Sequence, residues 1–156
     1  MLTACAIEPE AEDAHAGMSS NVDPAMVTAG HHHPMAPLED MPENVRAADA
    51  RTQEAYRFAV ANPDAAHEVP CYCGCVALGH TSSYGCYVAG TDPDGALVFD
   101  AHAVNCTVCV DITQDQMRLM DGGASPEAIR AYLDENYSMY GPPTEFRTTN
   151  DESGSG

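Results

Sequence analysis

The sequence has no lysine and no tryptophan, and only three phenylalanines in 156 residues. Its cationic side chains are six arginines, set against 24 aspartates and glutamates, for a formal net charge of −18. Such a chain repels polyanions, so nucleic acid and an anionic membrane surface are excluded as partners. The same charge attracts cations and keeps a protein dissolved, and by itself it needs no ligand to explain it: a solvating surface suffices. The shortage of large aromatic groups predicts a thin core. A small fold of that kind leans on disulfides or a metal for stability. No stretch approaches the roughly 20 apolar residues that span a bilayer, and no internal repeat is present. The length fits one domain with tails.

What the sequence does have is seven cysteines, eight methionines and seven histidines. The first cysteine stands in Leu2-Thr3-Ala4-Cys5, which has the leucine–small–small–cysteine form of a bacterial lipobox. The basic and apolar regions of a signal peptide do not precede it, so the expectation is that the sequence begins inside one, with Cys5 the acylated first residue of the mature protein. Residues 6–42 lack periodicity and are poor in large apolar groups, which predicts a disordered tether; with the lipobox-like start it makes up residues 1–42. It carries Gly30-His31-His32-His33-Pro34-Met35, with Met18, Met26 and Met41 around it. Imidazole and thioether together suit copper in either oxidation state, although three histidines in a tail are equally ordinary solvated residues.

The domain proper is expected over residues 43–147, followed by a loose tail over 148–156. From Glu43 to about Ala61 the spacing of Val45, Ala48, Thr52, Ala55 and Ala59 predicts a helix that Asn62-Pro63 ends. Tyr84 to Ala89 and Ala96 to Phe99 read as short strands joined by Asp92-Pro93-Asp94-Gly95, which is turn chemistry rather than a calcium loop. A helix is expected from Asn105 to about Asp121, with Cys106, Cys109, Val110, Thr113, Met117 and Met120 on one stripe. Gly122-Gly123 breaks it. Ser125 then caps a last helix with Pro126 in its first turn and Ile129, Tyr132, Leu133 and Tyr137 facing inward. The fold class is therefore mainly α: a small helical domain with a short central β-hairpin, organised around a cysteine-rich site.

The chemistry concentrates in Pro70-Cys71-Tyr72-Cys73-Gly74-Cys75, then Gly79-His80, Cys86, and His102-Ala103-Val104-Asn105-Cys106-Thr107-Val108-Cys109. Three thiols within five residues converge if Gly74 allows a tight turn. Cys106 and Cys109 at a helix start share a face, where the helix N-terminus favours the thiolate form that binds metal. The candidate ligands are thus Cys71, Cys73, Cys75, Cys86, Cys106 and Cys109, with His80 and His102 either joining them or bonding to them from outside. Tyr72, Tyr84 and Tyr87 are expected to keep water from the site. The Met117 and Met120 stripe reads as plain helix packing.

These residues carry a resemblance. The span from Val69 to Tyr137, with the P-C-Y-C-G-C string, Gly79-His80-x-Ser82, Cys86, His102, Cys106-x-x-Cys109 and Ile129-Arg130-x-Tyr132-Leu133-Asp134, resembles the family of bacterial exported proteins that takes its name from that string. Members often look like lipoproteins. The resemblance implies export, a place outside the cytoplasm on a lipid carried by Cys5, and a cysteine site.

Three explanations of the six cysteines compete. Copper(I) prefers thiolate and thioether, and C-x-C and C-x-x-C pairs bridge several copper ions; this reading is favoured, with storage or delivery as the role, metal ions as the primary partners and a copper-accepting protein as a further one. An even number of cysteines in an oxidising compartment also reads as a disulfide framework, with Cys71, Cys73 and Cys75 each reaching one of Cys86, Cys106 and Cys109, since cysteines two apart seldom pair with each other. Structural zinc would use four of the ligands. A thiol oxidoreductase centred on Cys106-x-x-Cys109 is disfavoured, because the strand–helix alternation of a thioredoxin-like domain is missing around it.

Overall fold

The computed structural model describes residues 33–144. Cys5, Met18, Met26, His31, His32 and residues 145–156, with whatever the sequence suggests for them, lie outside the described residues. In chain order the elements are α1 (Glu43–Arg46), α2 (Ala50–Ala61), α3 (Pro63–His67), β1 (Val88–Thr91), β2 (Leu97–Phe99), α4 (Thr107–Asp121) and α5 (Pro126–Tyr137). Short 3₁₀ turns run over Leu38–Asp40, Cys75–Leu78, Ser83–Cys86 and His102–Asn105. The expected class holds: helices around a two-stranded antiparallel hairpin, with the cysteines gathered between them.

The expected helix from Glu43 to Ala61 is two helices. Asp49 interrupts it by capping α2: its carboxylate accepts from the amides of Arg51 and Thr52 at 3.0 and 3.2 Å and from the Thr52 hydroxyl at 2.7 Å. An aspartate that meets the free amides of a first turn is worth about 1 kcal/mol there, and it fixes where the second helix begins. Thr52, Ala55, Tyr56, Phe58 and Ala59 are then buried. The fourth helix also starts later than its spacing suggests, because Cys106 has extended backbone and stands at the N-cap. Of the expected first strand, Ser83–Cys86 forms a 3₁₀ turn and pairing begins at Val88, opposite Phe99. Asp92 Oδ1 accepts from the amides of Asp94 and Ala96 at 3.0 and 2.9 Å, so the hairpin loop uses its carboxylate for its own turn. Ser125 caps α5 as its type predicts, accepting from the Ala128 amide.

Two apolar clusters flank α4. One joins Val45, Ala55, Tyr56 and Ala59 to Cys71, Cys75, Cys86, Tyr87 and Cys109. The other sets Ile112 of α4 and Ile129, Leu133 and Tyr137 of α5 around Val69 and Tyr72. Helix α4 therefore serves as the wall between them, packed on α2 on one side and α5 on the other.

The tether expected to reach residue 42 ends earlier. His33, Ala36 and Met41 are buried. The ring of His33 meets Phe58 edge-on with centroids 4.9 Å apart, and its Nδ1 is 3.0 Å from Asp121 Oδ1. The Ala36 amide donates to the Arg57 carbonyl, and the Arg57 guanidinium returns a bond to the Ala36 carbonyl at 2.6 Å. Apolar periodicity could not announce this segment, because it packs as single side chains on an irregular backbone. His33 and Met41 are thus parts of the core and not of a free metal-capturing arm.

That packing predicts a measurable cost. Met41 is 3% exposed, so Met41→Ala should destabilise the fold by about 2–5 kcal/mol. Met139→Ala, at a side chain 78% exposed, should change stability by no more than about 0.5 kcal/mol. Urea unfolding of both variants checks the contrast.

Candidate metal centre

Within the P-C-Y-C-G-C segment, Tyr72 and the two cysteines beside it pack into different clusters. The tyrosine ring is buried in the α5 cluster and its hydroxyl donates to the Asp134 carboxylate. Tyr72 therefore anchors the segment and does not shield the sulfurs. Gly74 has φ +76°, a left-handed conformation that glycine adopts at little cost, and it turns Cys75 back toward Cys71 and Cys73. The chain after α5 closes over the same segment. A Cβ at Gly141 would lie 2.8 Å from the Tyr72 carbonyl oxygen, so this approach depends on glycine. Thr144 then pairs with Cys71 twice: its hydroxyl accepts from the Cys71 amide and its amide donates to the Cys71 carbonyl, both at 2.9 Å.

Against this fixed segment come two others. The 3₁₀ turn Ser83–Cys86 brings Cys86, and the first turn of α4 brings Cys109. The carbonyl of Cys109 accepts from the Tyr87 hydroxyl at 2.8 Å, and that hydroxyl is 2.6 Å from Thr113 Oγ1. Tyr87 itself meets Tyr56 edge-on at 4.9 Å. So Tyr87 positions as well as shields, whereas Tyr84 stacks on His67.

The result is a group of five cysteines, Cys71, Cys73, Cys75, Cys86 and Cys109, whose Sγ atoms all lie within 4.8 Å of one another. The Sγ of Cys71 is 3.8 Å from Cys109, 3.5 Å from Cys86 and 3.6 Å from Cys75, and Cys109 is 3.2 Å from Cys86. Four thiolates around one tetrahedral ion at about 2.3 Å would stand about 3.8 Å apart, so Cys71, Cys86 and Cys109 are close to the spacing an ion needs, while Cys73, 2.9 Å from Cys71, must move outward by about 0.9 Å. The residues fit a soft metal.

The sixth cysteine stands apart. Cys106 is half-buried and belongs to a second group with Cys73, His102 and Cys109, again within 4.8 Å. His102 Nε2 is 3.1 Å from Cys75 Sγ and 3.6 Å from Cys73 Sγ. His80 lies outside both groups. Its Nδ1 is 3.7 Å from Cys86 Sγ and its Nε2 3.4 Å from Asp100 Oδ2, a carboxylate–histidine–cysteine chain that orients the ring. Asp100 also accepts from the His102 amide at 2.6 Å, and its own carbonyl accepts from the Tyr56 hydroxyl at 2.7 Å. Neither Asp100 nor Thr144 was among the sequence candidates. An aspartate two residues before His102 has the spacing of a side-chain-to-backbone turn, a signal that was there to be used; Thr144 had none.

The oxidation state departs from expectation. Cys73 and Cys75 form a disulfide, with Sγ atoms 2.02 Å apart, while Cys71, Cys86, Cys106 and Cys109 are free thiols. Cysteines two apart do pair here, and the three-to-three framework does not form. Until it is reduced, that bond keeps two sulfurs from acting as thiolates.

Hydrogen bonding among the thiols decides where negative charge resides. Cys71 is lowered to about 3, chiefly by the hydrogen bonds from Cys109 and Cys86, which outweigh its burial. Cys109 is pushed far up by its hydrogen bonds to Cys71 and Cys86 and by burial. Cys86 rises too: its bond with Cys109 pulls it down, but its bond to Cys71 and burial prevail. The helix N-terminus thus fails to make Cys109 the thiolate, since its proton is committed to a neighbouring sulfur. Cys71 carries the charge.

A family model described as a protein of unknown function with PCYCGC motif matches residues 1–149. No curated protein matches the chain, and no solved structure does.

The thiol charges predict a pH dependence. In the metal-free protein with the Cys73–Cys75 bond intact, thiolate absorbance should persist on acidification until about pH 3, where Cys71 takes up its proton. Because the folded value lies below the ordinary 9.0, this thiolate adds stability that is complete above that value. The contribution is lost progressively as pH falls toward the folded value. Cys71→Ser should abolish the acid-resistant absorbance, and an absorbance already gone at neutral pH would contradict the assignment.

Proposed function

Because the chain belongs to the PCYCGC-motif family, we propose that the family's cysteine string is the centre of a soft-metal site, that its metal is copper(I), and that the protein stores or delivers this ion outside the cytoplasm. The observation that carries the reading is the convergence of five cysteine sulfurs from three stretches of chain within 4.8 Å, four of them buried. A buried, acid-free set of sulfurs with an imidazole at its edge is the donor chemistry that copper(I) prefers over harder ions. Loading uses Cys71, Cys86 and Cys109 directly, and Cys73 and Cys75 after reduction. His80, held by Asp100, fixes the cluster from outside. A copper-accepting protein is the expected partner, and Leu2-Thr3-Ala4-Cys5 supports attachment to a membrane through a lipid on Cys5.

Catalysis is not part of the proposal. Cys106-x-x-Cys109 begins a helix, as in thiol oxidoreductases, but the described residues contain only a two-stranded hairpin and no alternation of strands and helices around it. Zinc is the second reading. Cys73, Cys106, Cys109 and His102 make up the three-cysteine, one-histidine composition of structural zinc sites.

Anaerobic purification of the reduced protein, metal analysis and titration with copper(I) against a competing chelator test the proposal. The expected result is tight copper(I) binding with all the domain's thiols free after denaturation, and a melting temperature that falls when the metal is stripped. Preferential zinc retention with weak copper(I) binding would transfer the site to the second reading. No affinity for either metal would end the metal reading altogether.

A further inference from the structure

The two cysteine groups are not separate. Cys73 and Cys109 belong to both, with their sulfurs 3.4 Å apart. The first group is completed by the buried Cys71, Cys75 and Cys86, the second by His102 and Cys106, both half-buried, with His102 Nε2 also 3.1 Å from Cys75 Sγ. Seven donor atoms exceed what a single ion takes, since a soft ion in a protein accepts at most four ligands. They are also disposed as two groups that share Cys73 and Cys109, and six of them suffice for two four-coordinate ions, with Cys75 beside the inner one. From this we propose a two-ion centre, in which Cys73 and Cys109 are bridging thiolates between an inner ion held with Cys71 and Cys86 and an outer ion held with His102 and Cys106. The inference rests on the soft-metal reading above and adds the number of ions, their arrangement and the role of the partly exposed pair.

Charge supports the same arrangement. One monovalent ion among four thiolates, three of them buried, leaves three negative charges uncompensated, an expensive state in a low-dielectric interior. A second cation on the shared edge offsets the charge that its own ligand Cys106 brings and gives each bridging sulfur two positive neighbours. Exposure gives the two positions different access. Three of the outer ion's four ligands are half-buried, whereas three of the inner ion's four are buried. Loading is therefore sequential, with the outer position as the entry.

Bridging requires Cys73 as a thiolate, so the Cys73–Cys75 bond must first be opened. A dithiol reagent does this by exchange: two electrons pass to the protein disulfide, two cysteine thiols form, and the reagent leaves as its cyclic disulfide. Each thiol then gives up its proton as it binds metal.

Titration of the full-length reduced protein with copper(I) under anaerobic conditions, read by stoichiometry and X-ray absorption, tests this. The wild type should bind two ions and show a short metal–metal scattering path. Cys106→Ser should bind one, without that path, with its circular dichroism unchanged. His102→Gln should weaken the second ion more than the first. Two ions without metal–metal scattering would overturn the bridge. One ion in the wild type, unaffected by Cys106→Ser, would overturn the two-ion centre and leave the soft-metal reading standing. No binding at all would overturn both. The wild-type scattering measurement decides the matter even if a variant fails to fold.

Discussion

Sulfur against sulfur is the contact on which this fold is built. Cys71, Cys86 and Cys109 occupy the place where a domain of this size would put leucine or phenylalanine, and their atoms belong to the same apolar cluster as Val45, Ala55 and Tyr87. A protonated thiol behaves as a small hydrophobe, so the group can pack as core. Once ionised it becomes a ligand set that needs a cation. The hydrogen bonds that place the charge on Cys71 hold the cluster between these two conditions. The site is not a cavity lined by a finished protein, but part of what the helices close upon.

Around that core, imidazoles meet the sulfurs while hydroxyl side chains hold the backbone. Tyr87 grips the Cys109 carbonyl, Tyr56 grips the Asp100 carbonyl, and Thr144 grips Cys71 on both its amide and its carbonyl. Hydroxyls used in this way satisfy buried peptide groups, which is costly to leave undone. They also leave the donor atoms free to answer to metal and redox state. The ion pairs contribute less. Arg51 with Asp111 and Arg118 with Asp115 involve largely exposed guanidinium groups, and such pairs add little to stability.

Much of this was legible in the residues. The class, the last helix with its Ser125 cap, and the turn at Asp92 follow from patterns that depend on neighbours a few positions apart. The gathering of Cys71, Cys73, Cys75, Cys86 and Cys109 was legible too, because no group alone completes a site. What escaped was set by contacts across the chain. The burial of His33 depends on Phe58 and Asp121, and the separation of Cys106 from the buried group depends on its extended backbone before α4. The Cys73–Cys75 bond escaped because a rule about spacing says nothing of a glycine between the two that turns the chain. The place of Tyr72 is likewise set across the chain, by the cluster around Ile129, Leu133 and Tyr137 and by Asp134, and not by the cysteines beside it in sequence.

The pair of hydrogen bonds between Thr144 and Cys71 has a consequence in time. The two residues are 73 positions apart, so a ribosome must finish nearly the whole domain before the cysteine segment receives its last backbone partner. While the nascent chain is still emerging, the thiols of Cys71, Cys73 and Cys75 are present without the turn that brings Cys86, the helix that brings Cys109 or the strap that closes over them. Assembly of this centre is thereby postponed until Thr144 has been made, and the thiols reach whatever awaits them as members of a nearly complete domain.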